Sequence, residues 1–185
     1  MILEGHERTL LAAQGYSELA MHDDAIAQLD SLPEETAKNP TVLELRAVVL
    51  MQARRWKPAL AVSRELCASV PAATSGFIHA AFCLHELGRT DEARECLLTG
   101  PDALRAEPTF HYNLACYECA LGHLDLARMH LDKSFTLDKK CATSPKATPI
   151  SRRCGSSGKG RALRRSVLGN APASASFRAY ARPPL

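Results

Sequence analysis

The sequence "CYEC", residues 116–119, places two thiols at a spacing that suits a metal ion or a redox-active pair. On a helix, Cys116 and Cys119 would share a face. A structural zinc site needs about four ligands, and the chain has no second pair of this kind. Three nearby histidines, His111, His123 and His130, are too scattered along the sequence to complete a site. We therefore expect no metal and no cofactor here, and a thiol or metal protein built on this pair is the less favoured alternative.

Two further groups of residues resemble catalytic elements only superficially. His79 and Cys83 lie four positions apart, the spacing of an activated thiol on a helix, but no oxyanion loop or orienting carboxylate is recognisable beside them. The stretch "GSSGKGR", residues 155–161, lacks the full Gly-x4-Gly-Lys-Ser/Thr pattern of a phosphate-binding loop and any preceding strand. The sequence therefore predicts that the protein is not an enzyme.

The elements that would carry these residues repeat along the chain. Alanines recur at one constant interval in two register positions: Ala13, Ala47, Ala81 and Ala115, and then Ala25, Ala59, Ala93 and Ala127. Apolar residues around them return at helical spacing. Larger side chains in both positions would force two packed helices apart, so the alanines indicate close antiparallel helices. Gly88 and Gly122 mark helix ends, because glycine adopts a left-handed φ at low cost. Each lies five positions before an alanine of the second series, and the first two copies have Ala20 and Arg54 at this position.

This register resembles the tetratricopeptide repeat (TPR), whose 34-residue unit is two antiparallel helices joined by a short turn. The resemblance is fullest in the fourth copy, through Asn113, Leu114, Ala115, Tyr117, Leu121, Gly122, Ala127 and Leu131. It implies an all-α fold, a right-handed α-solenoid of antiparallel helix pairs. The predicted repeat domain is 1–141, with units at 6–39, 40–73, 74–107 and 108–141.

A change in composition separates the end of the chain from the repeats. Residues 1–138 hold all 20 acidic residues and only 12 of the 23 basic ones, so the remainder is basic and free of acid. The segment 142–185 is rich in Ser, Pro, Ala, Gly and Arg and poor in large apolar residues, and we expect it to be disordered. Two alternatives are a GC-rich coding sequence read out of frame and a basic arm for nucleic acid. The segment lacks dense basic blocks and aromatic interleaving, so no nucleic-acid partner is expected.

The beginning of the chain and its longest apolar run bear on where the protein works. The first residues lack the basic start and sustained apolar run of a secretory signal. The longest apolar stretch, residues 47–51, is too short to cross a membrane. The cysteines fall mostly in predicted helices rather than in a loop-rich scaffold, which indicates reduced thiols. These features predict a soluble cytoplasmic protein without a membrane partner.

In TPR proteins, the first helix of each unit lines a concave groove, and its positions 2, 5, 6, 9, 12 and 13 commonly meet the ligand. The resemblance therefore implies a groove formed by Leu10, Gln14, Val48, Met51, Gln52, Ile78, His79, Phe82, His85, Tyr112, Asn113, Cys116 and Cys119. None of these is Lys or Arg, so a clamp for an acidic chain terminus is not expected. An extended or helical peptide with apolar anchors fits better, with Phe82 and Tyr112 as the expected hot spots.

The predicted function is accordingly a protein-interaction module, a scaffold or adaptor, and the alternative is a chaperone for a secreted or membrane-active client. For Val48, Met51 and Phe82, packing against neighbouring helices is equally expected. A solenoid also needs a terminal cap with a polar outer face. Because the segment that follows the fourth unit is expected to be disordered, we predict that some of Tyr117, Leu124, Leu131 and Phe135 are more exposed than their equivalents in the inner repeats. We also predict self-association through the uncapped C-terminal repeat.

Overall fold

The structure, a computed structural model, describes residues 5–137 of the chain. In chain order the α-helices are α1 (Glu7–Glu18), α2 (His22–Asp30), α3 (Glu34–Ala37), α4 (Pro40–Gln52), α5 (Trp56–Ser69), α6 (Thr74–Glu86), α7 (Thr90–Leu98), α8 (Pro108–Leu121) and α9 (Leu124–Leu137). A short 3-10 helix, Asp102–Ala106, precedes α8. No β-strand occurs between residues 5 and 137. The second helices, α2, α5, α7 and α9, begin at the constant interval of the alanine series, so the predicted helical hairpins are confirmed.

All four hairpin turns have the same backbone. A residue with a left-handed φ follows each first helix, at Ala20 (60°), Arg54 (57°), Gly88 (80°) and Gly122 (89°). The next residue donates its N–H back across the turn, as in Met21 N to Tyr16 O at 2.9 Å and Arg55 N to Leu50 O at 2.8 Å. This Schellman pattern satisfies carbonyls that the helix end would leave unpaired. Glycine indicated the turn in two copies, and the other two adopt it without glycine.

The two alanine series lie in the interior of the hairpins. Each alanine of either series is buried, and none is more than 4% exposed. No side chain larger than a methyl group stands between the helix backbones at these points. Their burial agrees with the expected packing of the first helix against the second; that a larger side chain would force the helices apart stays a prediction.

The described residues form two compact units, one that ends at Leu104 and one that begins at Arg105. In the first unit, α4 packs against α5 and also contacts α1, α2 and α6, while α6 packs against α5 and α7. Arg46 of α4 donates from Nη2 to the carbonyl oxygen of Leu29 at 2.7 Å, which ties one hairpin to the next. In the second unit, α8 packs against α9. The predicted boundary at 141 stays a prediction, and the predictions for 142–185 lie outside the described residues.

The fourth repeat exposes one of the expected apolar residues and two others. Leu124 is 38% exposed, whereas His22, Trp56 and Thr90 at the same repeat position are half-buried, so the prediction is confirmed for Leu124. Tyr117 and Leu131 are buried and Phe135 is half-buried. Leu126 and Met129 are exposed instead, because they lie on the side of α9 that faces away from α8. Among the helices of residues 5–137, none is long and apolar enough to cross a membrane.

Candidate functional site

Three side chains in the same repeat position lie on three neighbouring helices of the first unit. Gln14 on α1, Val48 on α4 and Phe82 on α6 are one repeat apart in the sequence, and each is half-buried. Because α4 contacts both α1 and α6, equivalent positions on these helices come side by side. We call Gln14, Val48 and Phe82 the central row. Leu10, Gln52 and His85, on the same three helices, are also half-buried.

Other candidates of the predicted groove are packed inside the protein. Met51, Ile78 and His79 in the first unit are 3%, 5% and 7% exposed, and Asn113 in the second unit is 8% exposed. Side chains buried to this degree offer almost no surface to a ligand. Packing therefore accounts for Met51, whereas Val48 and Phe82 keep part of their surface in solvent. The assignment of the half-buried candidates to a binding surface stays a prediction.

Phe82 is held by an aromatic neighbour. Its ring lies edge-to-face against Trp56, the first residue of α5, with ring centroids 5.8 Å apart and an interplanar angle of 73°. Such a pair contributes about 0.5–1.5 kcal/mol beyond the area it buries. Trp56 itself is half-buried, so the pair fixes the position of the Phe82 ring while both residues keep part of their surface accessible.

The polar groups beside the central row are oriented by local hydrogen bonds. Ser17 donates from its hydroxyl to the amide oxygen of Gln52, joining α1 to α4. Within the described part of the chain, this leaves the amide NH2 of Gln52 available as a donor. Gln14 donates from its own amide nitrogen to Glu18 Oε1 at 3.3 Å, and His85 Nδ1 lies 3.1 Å from Thr90 Oγ1 at the start of α7.

The His79 and Cys83 pair has no activated nucleophile. Burial lowers the pKa of His79 to about 4, so the imidazole is neutral at pH 7. Burial, with a contribution from the Glu86 carboxylate, raises the pKa of the Cys83 thiol to about 12. A neutral imidazole beside a protonated thiol is an ordinary packed arrangement. Burial also raises the pKa of Glu86, against a lowering effect of Arg54, and Glu86 Oε1 is buried without a hydrogen-bond partner among residues 5–137.

Burial also raises the pKa of the remaining thiols of the first unit above the ordinary value. Burial raises the pKa of Cys67 to about 11, with a smaller contribution from Cys96, and burial also raises the pKa of Cys96. Like Cys83, these two residues are free cysteines.

The second unit brings together two histidines that looked scattered in the sequence. Nδ1 of His111 on α8 lies 3.1 Å from Nδ1 of His130 on α9, while His123 Nδ1 contacts Glu118 at 2.7 Å. No sequence motif predicts the contact between His111 and His130, which depends on how α8 and α9 pack in the hairpin. Tyr112, Cys116 and Cys119 are half-buried on α8. Between residues 5 and 137, no cluster of three or more His, Cys, Asp or Glu side chains is placed to hold a metal ion.

Neither a protein-family model nor a curated protein matches this sequence. The structure, however, is similar to TTC0263, a thermophilic TPR protein in Thermus thermophilus, with a TM-score of 0.67 and 18% identity over 95% of this chain and 96% of that chain. It is also similar to MamA 41-end from Desulfovibrio magneticus RS-1, with a TM-score of 0.63 and 16% identity over 73% of this chain and 76% of that chain. At these identities the likeness establishes the fold, and the predicted all-α TPR solenoid is confirmed.

Proposed function

We propose that this chain is a non-catalytic protein-interaction module, a scaffold or adaptor, whose first unit binds a polypeptide segment along the central row. The observation that carries the proposal is the row itself. Gln14, Val48 and Phe82 occupy one repeat position on three neighbouring helices, and all three keep part of their surface in solvent while Met51 and Ile78 nearby are buried. Stacked repeats create extended surfaces that such proteins use for binding, so partly exposed apolar residues on neighbouring helices are suited to an external segment.

The chemistry of the row favours apolar anchors. Val48 and Phe82 provide apolar surface, and the edge-to-face contact with Trp56 fixes the Phe82 ring before the ligand arrives. A side chain that is already ordered loses less conformational freedom on binding, which favours affinity. Aromatic residues in such settings dominate the binding free energy of many interfaces.

Gln52 adds a polar contact of defined direction. With its amide oxygen engaged by Ser17, the amide NH2 can donate to a carbonyl group of the ligand. An extended peptide presents backbone carbonyls at regular intervals and would supply this acceptor. The expected ligand is therefore an extended segment that places an apolar side chain against Phe82 and a backbone carbonyl near Gln52.

The protonation states of Cys83 and His79 support a non-catalytic role. Cys83 is a protonated thiol with a pKa of about 12, and the neighbouring His79 is neutral and 7% exposed. Neither group can act as an activated nucleophile at neutral pH.

The proposal is tested by selecting displayed random peptides of about 12 residues on the immobilised full chain and measuring their dissociation constants by fluorescence anisotropy. Phe82→Glu should weaken binding by about tenfold or more, because it removes the anchor and places a charge against the ligand. Ala61→Glu, on the exposed side of α5, is the matched control and should leave affinity unchanged. Selected peptides without apolar residues, or equal binding by wild type and Phe82→Glu with helix content intact, would refute the proposal.

A further inference from the structure

The outer side of α9 carries a line of exposed apolar residues. Leu126, Met129 and Leu137 are 40%, 54% and 44% exposed. Their spacing of three and eight positions places them on one side of the helix, together with the exposed Lys133. We call Leu126, Met129, Lys133 and Leu137 the α9 stripe.

The repeat provides an internal comparison for this stripe. The position of Leu126 is occupied in the other second helices by Asp24, Pro58 and Glu92, and the position of Met129 by Ala27, Ala61 and Glu95; all six are exposed. The hairpin therefore does not need an apolar side chain at either position, because three copies form the same hairpin without one. Large apolar residues in exposed positions with no role in the fold point to an interaction surface.

Charges beside the stripe indicate which partner fits it. Asp125 lies four positions before Met129 and Lys133 lies four positions after it, and both side chains are exposed. If two copies of α9 cross antiparallel at Met129, Asp125 of each copy comes opposite Lys133 of the other, so the ion pair forms twice. The same crossing places Met129 of each helix against Met129 of the other, and Leu126 of each helix level with Asp132 and Lys133 of the other, where the aliphatic stem of Lys133 can cover it. A surface that complements itself in this way is what a two-fold dimer requires.

We propose that a second copy of this chain covers Leu126, Met129 and Lys133 of the α9 stripe in an antiparallel helix pair centred on Met129. Leu137 lies beyond the partner's α9, which begins at Leu124. The exposed charges of α9 are balanced, with Asp125 and Asp132 against Arg128 and Lys133, so the helix does not selectively attract the basic segment 142–185 or an acidic ligand. The proposal goes beyond the peptide-binding function and does not depend on the central row. Two apolar side chains from each copy form a smaller patch than the about 800 Å² per partner of a stable dimer, so the dimer forms only at high protein concentration.

The test is sedimentation velocity of the full chain from about 5 to 500 µM. The average mass should rise with concentration from the 20.1 kDa of the monomer towards twice that value. Met129→Glu should weaken dimerisation by about tenfold or more, because it brings two carboxylates together at the two-fold axis. Leu11→Glu, which changes a 67% exposed leucine on α1, is the matched control and should dimerise as the wild type does.

A charge exchange tests the antiparallel pairing itself. Asp125→Lys and Lys133→Asp should each weaken the dimer by placing like charges opposite one another, and the double variant should recover it. A monomer at every concentration would overturn the proposal, as would a dimer that Met129→Glu leaves intact. A double variant as weak as the single ones would overturn the antiparallel arrangement. Circular dichroism of each variant establishes that the helices are retained, as expected for changes at exposed positions.

Discussion

Nδ1 of His111 and Nδ1 of His130 lie 3.1 Å apart and join α8 to α9, with the two rings stacked at a centroid distance of 5.4 Å. Nε2 of His111 lies 3.2 Å from the carbonyl oxygen of Arg105. A carbonyl can only accept, so Nε2 of His111 carries the proton. In neutral His111, Nδ1 is then an acceptor, and His130 donates its Nδ1–H to it. The contact requires at least one of the two Nδ1 atoms to be unprotonated, so it is lost when both rings are protonated.

We predict that protonation of His111 destabilises the hairpin of α8 and α9 as the pH falls. Burial lowers the pKa of His111; the Arg105 carbonyl opposes this, and Lys133 and His130 lower the pKa further. The unfolded chain, with a histidine pKa of about 6.5, then binds more protons than the folded one. Stability is complete above about pH 6.5 and declines as the pH falls below it.

Histidine NMR titration measures this effect. His111 should titrate below about pH 6.5, and His130→Ala should raise its midpoint, because the variant removes a neighbouring cation and the donor to the neutral ring. A His111 midpoint above that of a free histidine, or one that His130→Ala leaves unchanged, would contradict the assignment.

A second acid-sensitive group is expected in the first unit. Burial lowers the pKa of His79 to about 4, and its side chain is 7% exposed. Because the folded pKa lies below the unfolded value, the contribution of neutral His79 is lost as the pH falls from about 6.5 to about 4, and the loss is on the order of 3 kcal/mol. Urea unfolding at a series of pH values should show a shallower decline for His79→Asn than for the wild type. Equal slopes would show that another group causes the acid sensitivity.

The constant spacing of the repeats predicted the helical hairpins closely, because every copy must pack its two helices in the same way. The units predicted to start at Pro40, Thr74 and Pro108 begin their first helices at those residues. The two alanine series predicted interior positions, and all eight alanines are buried. The same packing positions occur in all four units, so their pattern can be recognised within this one sequence.

The candidate site was less predictable because exposure depends on neighbours from other helices. Register position alone placed Ile78 in the groove, but the packed helices around it leave that side chain 5% exposed. The contact of His111 with His130 spans two helices and has no local motif. Glycine marked the left-handed turns at Gly88 and Gly122, but the same conformation at Ala20 is imposed by the hairpin rather than by the residue.

The strained turn at Ala20 gives a stability prediction. The left-handed conformation costs an L-residue with a Cβ roughly 1–2 kcal/mol, whereas glycine adopts it without this strain. Ala20, at a φ of 60°, has this conformation, so Ala20→Gly should raise the free energy of unfolding by about 1 kcal/mol. The reverse change, Gly122→Ala at a φ of 89°, should lower it by a similar amount. Thermal and urea unfolding measure both; a stabilising Gly122→Ala would show that the turn conformation is not what limits stability.

Two alanines of α5 separate close helix packing from helix propensity. Ala59 is fully buried between helices and Ala61 is exposed, and they lie two positions apart on the same helix. Ala59→Leu should lower the free energy of unfolding by about 1–3 kcal/mol, because the larger side chain must displace the paired helix. Ala61→Leu adds the same atoms at the surface and should be nearly neutral, since leucine and alanine are both good helix formers. Urea unfolding with unchanged m-values compares the two. If Ala59→Leu were also neutral, the helices would have room for a leucine, and close approach could not be the reason that alanine recurs in every copy of the repeat.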